Sequence, residues 1–245
     1  MKTPLVLRRS LFALLPATLL FASCGKDDKP APAATARVNA YHMAASANVG
    51  VKVLFDDAEK ATLTYGQNSG YQTINAGSPT IKVNVASSNA SAFPPQTVAT
   101  EKDLSYSYFA YAPTNSTVAG LLVTDQLSAP ATGQAKVRLV HLGQGSASPL
   151  KLSAPSIAGP VDVPNVSVEF ANASSFVEIP AGSYNLTVTT GPQSTVVANV
   201  GDGSGMGTGM KTYEAGKIYT VILRGVSNAL LSADLQPKAA LVQNN

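Results

Sequence analysis

The chain repeats itself, and that repeat constrains the fold more than any other feature. Ala36-Arg37-Val38-Asn39-Ala40-Tyr41-His42-Met43 aligns with Ala135-Lys136-Val137-Arg138-Leu139-Val140-His141-Leu142, and the two histidines of the protein fall at one equivalent place. Further on, Tyr65-Gly66-Gln67-Asn68-Ser69-Gly70-Tyr71-Gln72-Thr73-Ile74-Asn75-Ala76-Gly77-Ser78 matches the segment from Phe170 to Ser183. Ile81-Lys82-Val83 and Leu186-Thr187-Val188 continue that register without a gap. A third pairing, Leu104 to Phe109 with Lys217 to Ile222, requires loops of different length. Self-similarity at a period of roughly 100 residues predicts the same small domain built twice, with the junction in Ser128-Ala129-Pro130-Ala131-Thr132-Gly133.

Each repeat reads as β. Val137-Arg138-Leu139-Val140, Tyr184 to Val188 and Tyr219 to Leu223 are short runs rich in β-branched and aromatic residues, separated by Gly, Pro, Asn and Ser. Beyond the N-terminal apolar segment no window carries the 3.6-residue stripe of an amphipathic helix. In Pro180-Ala181-Gly182-Ser183 the proline presets φ and the glycine tolerates positive φ, as a tight turn between strands requires. Several short antiparallel strands in each repeat predict an all-β protein of two tandem immunoglobulin-like β-sandwich domains. With a single Cys and no Trp, neither repeat has the Cys-Trp-Cys core of antibody domains, and each must be held by burial alone.

Three motifs recur: Ala-x-Val-Arg-x-x-His opening a repeat, Ala-Gly-x-Tyr-x-Leu-x-Val in its middle, and Ile-Tyr-Thr-Val-Ile-Leu-x-Gly near its end. Together they resemble the domain-of-unknown-function 4397 (DUF4397) family, across nearly all of residues 36–238 and more fully in the second repeat. The resemblance implies an extracytoplasmic β-domain, often in tandem and frequent in exported Bacteroidota lipoproteins. It implies no reaction.

The N-terminus carries an address. Lys2, Arg8 and Arg9 form a positive region, about Leu11 to Phe21 an apolar one, and Ala22 and Ser23 lead to Cys24, the only cysteine. The apolar run falls short of the roughly 20 residues that a membrane-spanning helix needs, so it reads as a cleaved signal peptide. Cys24 resembles the acylated cysteine of the bacterial lipoprotein lipobox, with Phe21 in place of the usual Leu. Several acyl chains anchor firmly, since each buried methylene contributes about 0.8 kcal/mol. Lys26-Asp27-Asp28 resembles the Bacteroidota signal that sends lipoproteins to the outer face of the outer membrane. The expected organisation is therefore residues 1–23 signal peptide, 24–35 lipidated flexible tether, 36–130 and 131–238 β-sandwich domains, and 239–245 a C-terminal tail.

Charge excludes one large class of partner. The chain has 17 Lys and Arg against 14 Asp and Glu; removing Lys2, Arg8 and Arg9 with the signal leaves 17 − 3 = 14 of each, a net charge of zero. No basic stripe supports nucleic-acid binding.

Residues capable of chemistry do not form a recognisable constellation. His42 and His141 each lie in an apolar strand at the same repeat position, which points to a ring hydrogen-bonded near a strand end rather than to a metal site or acid–base pair. No Gly-x-Ser-x-Gly elbow occurs. The loop Gly201-Asp202-Gly203-Ser204-Gly205-Met206-Gly207-Thr208-Gly209-Met210-Lys211 lacks the Gly-Lys-Ser/Thr and helix of a phosphate-binding loop, and its one carboxylate is too few for calcium. Asp56, Asp57, Glu59, Glu169 and Glu178 could in principle supply a hydrolase pair, but spacing along the chain places no two of them at the required separation, and none is nominated. Tyr106 and Tyr108, one strand period apart, together with Tyr111 around Phe109, are the candidate ligand platform for a sugar ring or a partner's side chain; ordinary core or contact between the repeats is the competing reading.

The sequence thus predicts a non-catalytic binding or structural module, lipid-anchored in the outer membrane and facing the exterior, with the periplasmic face as the alternative. No cofactor or metal is expected, and the partners are the membrane, through the lipid, and an extracellular glycan or protein. A carbohydrate or peptide binder accessory to nutrient uptake or adhesion, and a carboxylate-based hydrolase, are the competing functions.

Overall fold

Strand runs separated by turn residues organise the whole of the described chain, which in this computed structural model comprises residues 33–207 and 209–245. The expected signal peptide, Cys24, Lys26, Asp27 and Asp28 lie outside it. Ala33–Asn245 form one compact unit. The first half contains β1 (Thr35–Met43), β2 (Val51–Phe55), β3 (Ala58–Leu63), β4 (Asn68–Asn75), β5 (Thr80–Val85), β6 (Gln96–Thr97), β7 (Ser105–Thr114) and β8 (Thr117–Asp125). The second contains β9 (Gln134–His141), β10 (Leu150–Ala154), β11 (Val161–Val168), β12 (Asn172–Ala173), β13 (Val177–Pro180), β14 (Gly182–Tyr184), β15 (Thr187–Thr190), β16 (Thr195–Asn199), β17 (Lys211–Tyr213), β18 (Ile218–Arg224) and β19 (Lys238–Gln243).

The protein is all-β, as expected, and each half is a sandwich. In the first half a sheet ordered β4-β1-β7-β8 packs on one ordered β3-β2-β5-β6. In the second, β12 and β13 both pair with β9 in a sheet that continues through β18 to β19, and this packs on β11-β10-β15-β16, with a small β14–β17 ribbon beside them. The two halves therefore share one strand order. It differs from the immunoglobulin constant-type order, in which the first two strands are neighbours in one sheet. Here β1 and β2 lie in opposite sheets, and β1 runs parallel to β7 from Arg37↔Ser105 to Met43↔Tyr111, as β9 does to β18. A parallel neighbour requires the chain to cross over before returning. The opposite sheet is that crossover.

Two strand patterns reflect two degrees of burial. β2 alternates, with Val51, Val53 and Phe55 buried and Lys52 and Leu54 half-exposed, as expected of a sheet with one wet face. β1, β7, β9 and β18 are instead buried along almost their whole length. One face of β1 (Ala36, Val38, Ala40) enters its own sandwich core, while the other (Tyr41, Met43) packs with Phe109 of β7 against Val140, Leu142 and Ile222 of the second half. The two sandwiches thus stack with their inner sheets joined by this apolar contact.

The expected C-terminal tail is a correction. Residues 239–245 are mostly strand β19, paired with β18 from Arg224↔Lys238 to Tyr219↔Gln243, and Asn244 is buried. Ala239 and Leu241 pack against the second core. The segment is short and bordered by Pro237, which gave it the look of a tail, but an open sheet edge beside β18 supplies the partners its backbone needs.

Candidate functional site

The most highly organised polar cluster lies in the seam between the halves. Arg138 on β9 and Asp125 at the end of β8 have side chains 1% and 0% exposed and meet with Nη2 and Oδ1 2.7 Å apart. Arg138 also donates from Nη2 to Ser107 Oγ (2.9 Å) and from Nε to Thr220 Oγ1 (3.0 Å), and its guanidinium lies over the Phe176 ring, 4.5 Å from the centroid. The Thr220 hydroxyl donates to Asn244 Oδ1 (2.7 Å), and Asn244 Nδ2 donates to the Tyr71 hydroxyl (3.2 Å). Tyr71 and Ser107 then donate to Asp125 Oδ2 at 2.5 and 2.8 Å. The hydrogen bonds close a ring. Desolvation, and after it the negative charge of Asp125, push the Tyr71 phenol above its ordinary value.

The repeat alignment gives this ring its logic. Ser107 and Thr220 occupy equivalent places, and Asn39 stands in the first half where Arg138 stands in the second. Asp125, opposite Ser105, corresponds to Asn244, whose backbone N–H bonds to Ile218. At two different repeat positions, each polar in both halves, one half carries the cation and the other the anion, and these two face each other. Arg138, a charged residue inside the apolar run Val137-Arg138-Leu139-Val140, was the sequence signal for this cluster; Asp125 had none.

His42 and His141 have the structural role their positions suggested. Nε2 of His42 donates to the Val49 carbonyl (2.9 Å) and Nε2 of His141 to the Ala147 carbonyl (3.0 Å), so each ring ties down the loop that follows its strand. A carbonyl can only accept, which puts the proton on Nε2. Burial holds both imidazoles below their ordinary pKa; Glu169 partly offsets this at His141.

The tyrosine platform is a second correction. Tyr106 and Tyr108 do share a face, but it is the inner one: they are 4% and 1% exposed in the first core. The Tyr106 hydroxyl accepts the Glu101 backbone N–H (2.8 Å), and the equivalent Tyr219 accepts that of Glu214 (3.1 Å), so both pin the turn five residues upstream. The Tyr108 hydroxyl donates to Gln96 (2.7 Å). Tyr111, on the other face, is half-buried with its ring edge-on to Phe170 of the second half at 6.0 Å. Its repeat counterpart, Arg224, lies over Tyr65 of the first half at 4.6 Å. Interior of the first sandwich and contact between the halves account for all three tyrosines.

The candidate carboxylates are dispersed, and most are engaged locally. Asp56 accepts the Thr80 N–H at 2.9 Å, Asp57 pairs with Lys82, and Glu59 accepts the Thr62 hydroxyl at 2.8 Å. Glu169 accepts the Ser148 hydroxyl, and Glu178 the Ala131 N–H at 2.9 Å. No group of three or more His, Cys, Asp or Glu able to hold a metal occurs among the described residues. In the glycine-rich loop Asp202 caps its own turn through the Ser204 N–H at 2.9 Å.

Each half also has a groove of about 390 Å³ at one equivalent place, between the outer hairpin and the end of the strand pairing with β1 or β9. The first groove is lined by Phe55, Asp56, Ala58, Lys60, Thr73, Ile74 and Asn75. The second is far more apolar, with Ala154, Val161, Val163, Ile179 and Tyr184 in its wall.

Comparison with known proteins yields distant likenesses. No curated protein matches the chain. Among solved structures, the Bacillus anthracis TIE protein is 8% identical over 78% of this chain and 34% of its own, with a TM-score of 0.25. A leucine-rich repeat protein from Bacteroides thetaiotaomicron VPI-5482 is 12% identical over 78% of this chain and 26% of its own, with a TM-score of 0.17. The chain thus spans about a third or less of the length of either. A family model does match within the chain: residues 36–148, the first sandwich together with β9 and the loop after it, contain a domain of unknown function, DUF4397.

Proposed function

We propose that the chain is a lipid-anchored Bacteroidota cell-envelope protein, held by Cys24 and directed to the cell surface by Lys26, Asp27 and Asp28, in which a DUF4397 domain and a second copy of it over residues 131–245 form a non-catalytic binding or structural module. The observation that carries the module reading is the seam. The two sandwiches bury a closed polar ring and an apolar contact between them, and the side chains best suited to chemistry are used there or in local structural bonds. Such a body presents its outer sheets and loops at a fixed geometry. Shared strand order and paired Tyr106/Tyr219 and His42/His141 bonds support the second copy.

Protease accessibility on intact cells tests the location. Digestion of the wild type, with protection of a variant in which Lys26, Asp27 and Asp28 are all alanine and loss of lipid labelling in Cys24→Ser, is the expected pattern. Protection of a lipidated wild type would place the protein on the periplasmic face and reduce the charged triplet to part of the tether.

A further inference from the structure

Strand β8 leaves a row of backbone groups without partners. The Arg37 N–H bonds to the Leu104 carbonyl, which fixes the parity of β7: its even-numbered residues bond to β1 and its odd-numbered ones to β8. The register from Ser105↔Asp125 to Tyr111↔Ala119 carries that parity across, so the odd-numbered residues of β8 bond back to β7. The N–H and C=O groups of Gly120, Leu122 and Thr124 therefore point out of the sheet's open edge, and they have no backbone partner among the described residues.

The equivalent edge of the second half is covered. β19 corresponds to β8, with Leu241 in the place of Leu122 and Asn244 in that of Asp125. Leu241 donates its outward N–H to the Gly203 carbonyl at 3.4 Å, and Gly203 comes so near that a Cβ there would stand 2.9 Å from the Leu241 Cβ. The first half has no such loop. Thr97, ending β6, is followed almost at once by Thr100, whose bridge to Gly77 stands where Tyr213 pairs with Gly182, whereas the second half has Val200 to Met210 between β16 and β17.

The other edges of the four main sheets are guarded by the means natural sheets use. β3 carries Glu59 and Lys60, β11 Asp162 and Pro164, and β13 Glu178 and Pro180; β6 and β12 are two residues long; the register is broken where β4 meets β1 and where β16 meets β15. β8 is nine residues long, holds no Pro and no charge before Asp125, and keeps its register unbroken from Ala119 to Asp125. Its flanks are neutral as well, with Gln96 on one side and Ala173, Ser174 and Ser175 on the other.

We propose that β8 is a self-association edge, pairing antiparallel with β8 of a second copy of this chain so that one inner sheet runs through both molecules. A two-fold axis at Leu122 sets Gly120 opposite Thr124 of the second copy and brings all the outward groups of the three residues into hydrogen bonds. The same axis sets Leu122 opposite Leu122 and Leu121 opposite Val123, so apolar side chains meet across the new pair. A second copy is the occupant because the edge is complementary to itself: a neutral strand with neutral flanks meets no like charge in its own image, whereas an acidic or basic partner strand would find no counter-charge there. The proposal goes beyond the module reading and does not depend on where the module is displayed.

The test is amide hydrogen exchange, read by NMR, on the full-length chain in reductant and excess detergent micelles, which keep Cys24 and the apolar N-terminal segment from associating. Between about 10 µM and about 1 mM protein, the Gly120, Leu122 and Thr124 amides should slow roughly fourfold, as a Kd on the order of 0.1 mM gives for an interface of one strand pair. Thr124→Pro removes one outward donor and no bond to β7, and should abolish the slowing at Gly120 and Leu122. Thr124→Lys, at an exposed position, leaves the backbone whole and should abolish it by charge. Both variants should melt like the wild type. Fast exchange at every concentration would leave the edge to a strand of a different protein, and slow exchange at the lowest concentration would mean that the chain covers the edge itself. Slowing that persists in both variants would put the contact elsewhere. Each of these three results overturns the proposal.

Discussion

At the scale of single residues, the two histidines show how position in a duplicated strand predicts role. Each ring is buried and neutral, with Nε2–H bonded to a loop carbonyl and Nδ1 without a hydrogen-bond partner among the described residues. Because burial lowers the folded-state pKa of both below the ordinary value near 6.5, the unfolded chain binds more protons on acidification. Stability is then full above about pH 6.5 and declines as the pH falls below that value. Thermal melts between about pH 8 and pH 5 should show this decline, and His42→Gln should flatten it more than His141→Gln, since Glu169 favours the charged form of His141 alone. An unchanged melting temperature across that range would contradict the assignment. The tyrosines carry the opposite lesson: period two placed Tyr106 and Tyr108 on one face, but it cannot say whether that face meets water or a second sheet.

At the scale of elements, burial on both faces erased the alternation that would have revealed orientation. β18 reads as a nearly continuous apolar run, and β1, β7 and β9 place polar residues such as Asn39, Ser107 and Arg138 on a face that is also buried, because each has packed side chains on either side. Segment 238–243 was illegible for a different reason. It is short and follows the irregular stretch 225–237, and its strand character comes from pairing with β18 rather than from propensity. Ending the chain at Pro237 should therefore abolish cooperative folding of the second half, by removing the β18 partner, Ala239 from the core and Asn244 from the polar ring. Circular dichroism melts and limited proteolysis read this directly; a truncated chain that melts like the full one would show the segment to be dispensable. Gly120 of β8 is constrained in the same way by a neighbour remote in sequence. A Cβ there would collide with the Tyr108 hydroxyl and Gln96, so the strand is held to glycine by a hydrogen bond between two other elements.

At the scale of the molecule, the seam makes two sandwiches behave as one body. Arg138 and Asp125 were both taken out of water, and removing one strands the other. Arg138→Asn should cost roughly 3–5 kcal/mol. Adding Asp125→Asn should recover part of that loss, since the double variant carries at each position the residue its repeat counterpart already has, Asn39 and Asn244. Denaturant titration of the two singles and the double gives the coupling energy. Strict additivity would mean that the contact contributes nothing to holding the halves together. With the pair intact a single unfolding transition is expected; in Arg138→Asn the two cores should separate into two.

What the sequence determined by itself was whatever depends on neighbours along the chain or on self-comparison. This includes the all-β class from short β-rich runs between turn residues, the two halves from their alignment, and the loop-clasping histidines from their repeated place. Which strands became sheet neighbours, which faces met, and where the two charged residues found each other were decided only by the tertiary structure. Asp125 and Arg138 are separated by a loop and lie in different halves, and nothing local marks Asp125 as buried.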